Sequence, residues 1–203
     1  MLWIVRTSCC IVVLFIANVV AAQTEFSAEI VDLQKPSAAT HKIYFGSYKT
    51  RIETRGESAV IVDLIAGIST ILTAEQHTYF QGSTEHFGAG TNQVYALLRP
   101  DDVEHACTDW LKIKFLHTET CQKIGSETLN GRRTVKYEGT CFGEACHVWL
   151  DRDLRVTVKS ETKVSSTELR DIREGPQSSI FFEVPAGFVQ TFAMSGVISK
   201  DPR

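Results

Sequence analysis

Residues 41–80 read HKIYFGSYKTRIETRGESAVIVDLIAGISTILTAEQHTYF, and this stretch decides the fold because strand patterns follow one another between short turn signals. Thr50, Ile52 and Thr54 alternate with charged residues, as in a strand with one covered face. Residues 58–65, SAVIVDLI, are apolar at nearly every position, which indicates a strand covered on both faces. Glycines between these runs allow the chain to reverse. The stretch therefore predicts an antiparallel meander.

The remainder of the chain adds strands and little helix. Asn130-Gly131 between two strand patterns is a strong hairpin signal. Pro100 and the acids after it predict the start of an amphipathic helix over residues 101–112. Residues 81–98 show no clear period. Further strands are predicted at 26–33, 121–129, 133–141, 147–150, 154–158 and 166–173. The predicted fold class is mainly β, with a large antiparallel sheet and few helices.

The first 22 residues have the pattern of a secretory signal peptide. Arg6 precedes an apolar run, and the small residues Ala21 and Ala22 follow it. An uncleaved membrane anchor is the alternative, but Asn18 interrupts the run and the run is short for a bilayer. We therefore expect cleavage after Ala22, a single domain over residues 23–203, and a periplasmic location.

Charge argues against a nucleic-acid partner. All 24 acidic residues but only 20 of the 21 basic residues follow Ala22, so the chain after Ala22 carries a net charge of −4 with no basic block. No later segment is long and apolar enough to span a membrane, so we expect at most peripheral membrane contact. A monomer is expected.

Four cysteines follow Ala22, and an even number in an exported protein suggests two disulfides. We predict pairs between Cys107 and Cys121 and between Cys141 and Cys146, the second across a short hairpin turn. Two other uses of the sequence C-FGEA-CH at 141–147 are weaker. Haem attachment normally has two residues between the thiols, and zinc binding competes with oxidation. No cofactor and no metal are therefore expected.

No catalytic motif stands out. The six histidines are scattered without metal-ligand spacing, and neither a Gly-x-Ser-x-Gly elbow nor a phosphate loop is present. Asp151 and Asp153 are explained by the chemistry of a turn. No catalytic residue is assigned, and the protein is expected not to be an enzyme.

Six short motifs occur in a fixed order in the C-terminal half: KIGSE (123–127), NGR (130–132), KYE (136–138), VWLD (148–151), ELRDI (168–172) and FEVPAGF (182–188). In this order the chain resembles the LolA-like superfamily, which includes outer-membrane lipoprotein-sorting proteins and related lipid-binding periplasmic proteins. KTRIE (49–53) resembles the early basic strand of that family. The resemblance implies an incomplete β-barrel, a curved antiparallel sheet with covering helices and a hydrophobic cavity for acyl chains.

The resemblance also implies a role for Arg51, which matches the arginine that holds the cavity lid closed in the lipoprotein carriers. The chain departs from those carriers at residues 68–80, where the family has a strand with a tryptophan and a tyrosine, and in its additional cysteines. We therefore expect a family member that is not the lipoprotein carrier itself.

Two hypotheses follow. The first is a periplasmic protein that carries or senses a lipid or a lipoprotein acyl chain. Its cavity would be lined by apolar residues, although buried residues of this type are more often ordinary core: Ile43, Phe45, Ile52, Val60, Val62, Leu64 and Trp149. The second is an envelope protein-protein interaction module with a filled barrel and no lipid ligand. An unrecognised hydrolase would need a polar cluster in the cavity that the sequence does not supply.

Overall fold

The computed structural model describes residues 23–35, 40–53, 58–84, 99–111, 119–141 and 143–192, with only the main chain of Cys141. Within these residues it has twelve β-strands, a short α-helix, α1 (Ala106–Trp110), and 3-10 turns at Ala74–Gln76 and Ser179–Phe182. No helix among them is long and apolar enough to cross a membrane. The strands are β1 (Phe26–Asp32), β2 (His41–Phe45), β3 (Lys49–Glu53), β4 (Ala59–Asp63), β5 (Ile68–Thr73), β6 (Thr78–Ser83), β7 (Cys121–Leu129), β8 (Arg132–Cys141), β9 (Glu144–Asp151), β10 (Thr157–Thr162), β11 (Ser166–Glu174) and β12 (Val189–Gln190).

All twelve strands form one sheet in the order β12-β6-β5-β4-β3-β2-β1-β11-β10-β9-β8-β7. The β12–β6 pair is parallel and the other pairs are antiparallel. The two halves of the sheet meet at β1, which pairs with both β2 and β11. Among the described strands, the two at the ends of the order, β12 and β7, do not pair with each other, so the sheet is open. The predicted fold class, mainly β with a large antiparallel sheet, is confirmed.

Several strands end at turns that are stabilised by positive φ angles or by hydrogen bonds between a side chain and the main chain. Asn130 and Gly131 have φ angles of 50° and 79°, as the predicted hairpin requires. Asp63 Oδ1 accepts hydrogen bonds from the main-chain nitrogens of Ile65 and Ala66, at 3.1 and 2.9 Å. The strand predicted over residues 58–65 therefore ends at Asp63, and Leu64 lies in the turn after it.

Several elements differ from their predicted bounds, and β9, predicted over residues 147–150, begins already at Glu144. The sixth strand continues to Ser83, where an irregular segment was predicted from residue 81, because it pairs with β5 along its whole length. The helix spans Ala106–Trp110, shorter than predicted, and Lys112 lies outside the described residues. The strand predicted from residue 154 begins at Thr157, because Asp151 Oδ1 accepts hydrogen bonds from the nitrogens of Asp153 and Leu154 and turns the chain.

The sheet is packed on both faces. Ile43, Phe45, Ile52 and Val62 belong to the largest buried cluster, and we call their side of β1–β6 the core face. Side chains alternate along a strand, so Ala59 and Ile61 point to the opposite face, where they contact Phe182, Val184 and Phe188 of the C-terminal segment (residues 175–190). A third cluster joins α1 to β8 and β9 through Trp110 and Ala106.

Candidate functional site

A row of five apolar side chains crosses the core face. Ile43 pairs with Ile52, Ile52 with Val60, Val60 with Ile71, and Ile71 with Phe80, from β2 to β6. Directly paired residues share one face of a sheet, and strands lie about 4.8 Å apart, so this apolar row is about 19 Å long. No polar residue interrupts it, whereas the neighbouring row contains polar residues.

Burial changes along the apolar row. Ile43 is 0% exposed and Ile52 is 4% exposed, and both contact other members of the buried cluster. Val60, Ile71 and Phe80 are each partly buried. The row is therefore closed at its β2 end and partly accessible at its β6 end.

The neighbouring row on the core face is interrupted by hydroxyl groups. Phe45 pairs with Thr50, Thr50 with Val62, and Val62 with Ser69. Thr50 and Ser69 are 2% and 1% exposed, and Ser69 Oγ donates a hydrogen bond of 3.2 Å to Thr84 Oγ1. Phe45 and Val62 were predicted to line a cavity, and here they are packed at 1% and 4% exposure.

Arg99 lies at the β2 end of the core face. Its guanidinium carbon is 5.3 Å from the ring centre of Phe45 and 5.7 Å from that of Phe26, and these two rings stack at 4.5 Å. Nη2 donates a hydrogen bond of 2.8 Å to the main-chain oxygen of Thr24. The pKa of Arg99 is lowered to about 10, mainly by burial and to a smaller extent by the positive charge of Arg155.

Arg51 points away from the apolar row. It pairs with Tyr44 and Ile61, both on the opposite face, and its Nη1 donates a hydrogen bond of 3.3 Å to the main-chain oxygen of Phe181. Its Nε lies 3.3 Å from Glu53 Oε1. The structure does not bring Arg51 together with the predicted apolar lining, and its role at a cavity lid stays a prediction.

Two further predicted lining residues lie apart from the apolar row. Leu64 is 42% exposed in its turn. Trp149 belongs to the buried cluster, but its ring lies between the ammonium groups of Lys136 and Lys159, at 4.5 and 4.4 Å from the ring centre. Its indole N–H donates to Glu127 Oε1. These cation-π contacts explain the burial of Trp149 without a ligand.

Sequence analysis missed three residues of the candidate site. Ile71 lies within a short strand pattern and Phe80 at the end of the meander, so alternation could have placed both on one face. Arg99 follows a segment without periodicity, and no sequence signal connects it with Phe26 and Phe45.

The predicted disulfide between Cys107 and Cys121 is present, with Cα atoms 5.5 Å apart. It attaches α1 to the first residue of β7. Cys146 is also disulfide-bonded. Its predicted pairing with Cys141 stays a prediction because the Cys141 side chain is not described.

Surface pockets occur at the other half of the sheet, and one of about 220 Å³, lined in part by Lys42 and Tyr44, lies over β1 and β2. One of about 630 Å³ is lined in part by Glu138, His147 and Glu161, and one of about 350 Å³ by Arg132 and Arg170 with apolar neighbours. None of the three is lined by a residue of the apolar row. Among the described residues, no group of three histidine, cysteine or acidic side chains could hold a metal ion.

Comparison with known proteins places the chain by fold alone. No protein-family model matches it, and no curated protein matches it in sequence. An uncharacterised conserved protein from Thermus thermophilus is similar in structure, with a TM-score of 0.53, 8% identity, and coverage of 83% of this chain and 90% of that one. PNGF-II gives a TM-score of 0.50 at 8% identity over 83% of this chain, which is only 31% of its own.

Weaker matches include the MucA/MucB complex of Pseudomonas aeruginosa, with a TM-score of 0.48, 16% identity, and coverage of 82% and 57% of the two chains. A putative outer membrane lipoprotein-sorting protein domain from Vibrio parahaemolyticus gives a TM-score of 0.30 at 13% identity, over 78% and 87%. These similarities concern the fold alone: the structure has a large, open, mainly antiparallel sheet, as the sequence resemblance implies.

Proposed function

We propose that this protein is a non-enzymatic binding protein of the cell envelope that holds the acyl chain of a lipid or lipoprotein against the apolar row. The observation that carries the proposal is the register of Ile43, Ile52, Val60, Ile71 and Phe80 across five strands, with accessibility increasing toward β6. A linear row of this kind suits a linear hydrocarbon chain better than a compact ligand.

Transfer of methylene groups from water supplies the affinity, at about 0.8 kcal/mol for each group buried. Val60, Ile71 and Phe80 are the first residues that such a chain contacts, because they are only partly buried. Contact with Ile43 and Ile52 requires the side chains packed on them to move aside. Substitutions at the half-buried end of the row should therefore weaken acyl binding without unfolding the protein.

The periplasm is the proposed compartment. Residues 1–22 have the pattern of a signal peptide, and they lie outside the described residues. The disulfide between Cys107 and Cys121 supports an oxidising compartment. Acyl binding by burial of apolar surface needs no catalytic group, and we assign none.

The test is native mass spectrometry with lipid extraction on the full chain, secreted into a bacterial periplasm. We expect the wild-type protein to carry an acyl lipid and Ile71→Arg to lose it, because an arginine in the partly buried end of the row cannot pack against hydrocarbon. Ile65→Arg is the matched control, since Ile65 is 71% exposed in a turn. Urea unfolding of both variants establishes that each is folded.

Two outcomes oppose the proposal. One is wild-type protein that carries no lipid and does not bind a fluorescent fatty acid, which favours the filled interaction module. The other is a folded Ile71→Arg variant that binds as tightly as the wild type, which removes the apolar row from the site.

A further inference from the structure

Arg99 is a half-buried cation without an ion-pair partner among the described residues. A guanidinium has five N–H donors, and Thr24 accepts the hydrogen bond that Nη2 donates at 2.8 Å. The apolar rings of Phe26 and Phe45 lie beside it. An anion stabilises a partly buried positive charge more strongly than it stabilises a positive charge in open water.

The carboxylate that raises the pKa of Arg99 is Glu25, and it is already engaged. Glu25 Oε1 accepts a hydrogen bond of 2.7 Å from Ser47 Oγ, and Oε2 accepts one of 2.7 Å from the main-chain nitrogen of Gln177. Both oxygens of Glu25 therefore hold the C-terminal segment and the β2–β3 turn, and neither is bonded to Arg99.

A second guanidinium adds to the positive charge here. Arg155 donates from Nε and Nη2 to the main-chain oxygen of Pro100, at 2.9 and 2.7 Å, so it is fixed beside the residue that follows Arg99. Its carboxylate partner, Asp101 at 3.4 Å, is fully exposed to solvent and is screened there. The two arginines are held near each other at Pro100, and the charge of Arg155 disfavours the charged form of Arg99, so an anion bound here would relieve their repulsion.

Position connects this charge to the apolar row. Phe45 lies two residues after Ile43 on the same face of β2, so Arg99 lies at the β2 end of the row. From there the row runs about 19 Å to Phe80. A cation at one end of an apolar strip has the geometry of a site for a single-chain amphiphile, which at this end requires the side chains packed on Ile43 and Ile52 to move aside.

We propose that Arg99 binds the anionic head group, a carboxylate or a phosphate monoester, of an amphiphile whose hydrocarbon chain lies along the apolar row. This inference rests on the proposed function and narrows its ligand class. Acyl chains in ester or amide linkage carry no charge at that end, so a free fatty acid or an alkyl phosphate is preferred over the acyl chain of a lipoprotein.

The experiment compares three ligands of equal chain length: hexadecanoate, hexadecyl phosphate and the neutral hexadecanol. Binding of each is measured by displacement of a fluorescent probe from the full-length wild-type protein and from Arg99→Gln. We expect the wild type to bind at least one anion about tenfold more tightly than the alcohol, as for a charge-assisted hydrogen bond. Arg99→Gln should bind all three ligands with equal affinity.

Two further variants separate recognition from packing. Arg99→Lys keeps the charge and should retain part of the preference for the anions, whereas a purely structural role gives no such rescue. Arg133→Gln is the matched control, because Arg133 is 72% exposed at the opposite half of the sheet. The ratio between hexadecanoate and hexadecyl phosphate tells which head group the site prefers.

The outcomes distinguish this inference from the function on which it rests. If the wild type binds none of the three ligands, the proposed function fails and this inference fails with it. If the wild type binds hexadecanol as tightly as both anions, or if Arg99→Gln keeps the preference, acyl binding stands and the head-group site is overturned.

Discussion

Arg51 Nη1 and the main-chain oxygen of Phe181 are joined by a hydrogen bond of 3.3 Å, although 130 residues separate them in sequence. The ring of Tyr44, the cross-strand partner of Arg51, stacks on the ring of Phe181 at 4.4 Å. Two adjacent strands thus hold the C-terminal segment on the face opposite the core face. Further along, this segment contributes β12, which pairs with β6 at the edge of the sheet. An edge strand covered in this way is protected from pairing with another chain.

Arg51→Met should loosen the C-terminal segment. The change removes the hydrogen bond to Phe181 and keeps an apolar stem of similar length, and the Arg51 side chain is only 12% exposed. We expect a loss of about 1 kcal/mol in the free energy of unfolding, measured in urea, and faster proteolysis after residue 175. Arg133→Met is the control, since that side chain is mostly exposed. Equal unfolding midpoints for the two variants would contradict the proposed anchoring.

Local sequence pattern predicted the strands well and even the orientation of Arg51. Alternation in residues 50–54 put Ile52 on one face and Arg51 on the other, as the register has them. The resemblance to lipoprotein carriers instead suggested a place for Arg51 at the cavity. That role stays a prediction, whereas the orientation of Arg51 follows from side-chain alternation, which is a property of every strand.

The candidate site could be predicted only in part, because it depends on pairing between strands. Ile43, Ile52 and Val60 were predicted as lining residues, whereas Ile71 and Phe80, in the same meander, are brought into line with them by the pairing of β4 with β5 and of β5 with β6. The contact of Arg99 with Phe26 and Phe45 is a tertiary contact that no periodicity encodes. The pairing of β1 with β11, which joins the two halves of the sheet, is likewise invisible in local sequence.

Glu25→Gln should reduce the dependence of stability on pH. Hydrogen bonds from the Gln177 main-chain nitrogen and from Ser47 hold the pKa of Glu25 below its ordinary value of 4.5. A carboxylate with a lowered pKa in the folded state stabilises that state above its unfolded pKa, and this contribution is lost as pH falls through the folded pKa. Wild type should therefore be more stable than Glu25→Gln at neutral pH, and the difference should shrink below pH 4.5.

Urea unfolding at neutral and at acidic pH measures this difference. Glu144→Gln is a suitable control, because Glu144 is exposed and no hydrogen bond to its carboxylate is seen among the described residues. A gap between wild type and Glu25→Gln that stays constant down to acidic pH would show that ionisation of Glu25 is not linked to folding.

Gly139→Ala should be strongly destabilising, whereas Gly125→Ala should not be. A Cβ on Gly139 would lie 2.1 Å from the main-chain oxygen of Thr120, and main chain cannot move aside as a flexible side chain does. Gly125, on the neighbouring strand, has nothing within 4 Å of the same position. Overpacking of this kind costs about 1–3 kcal/mol, measurable by thermal or urea unfolding. Equal stability of the two variants would show that β7 and β8 can separate at this point without cost.

Removal of the disulfide by the double change Cys107→Ala and Cys121→Ala should detach α1. The bridge closes a loop over a sequence separation of 14 residues and stabilises the protein by about 3 kcal/mol in the chain-entropy estimate. A helix of five residues is not stable alone, so α1 depends on this bridge and on the burial of Trp110. The ring of Trp110 packs edge to face against the ring of Tyr137, with ring centres 5.2 Å apart. We expect a lower urea midpoint and a red shift of tryptophan fluorescence as Trp110 becomes exposed. Thr108→Ala, at an exposed position of the same helix, should change neither property. If the double variant keeps its fluorescence spectrum while losing stability, the bridge acts on the unfolded chain and α1 is held by its packing alone.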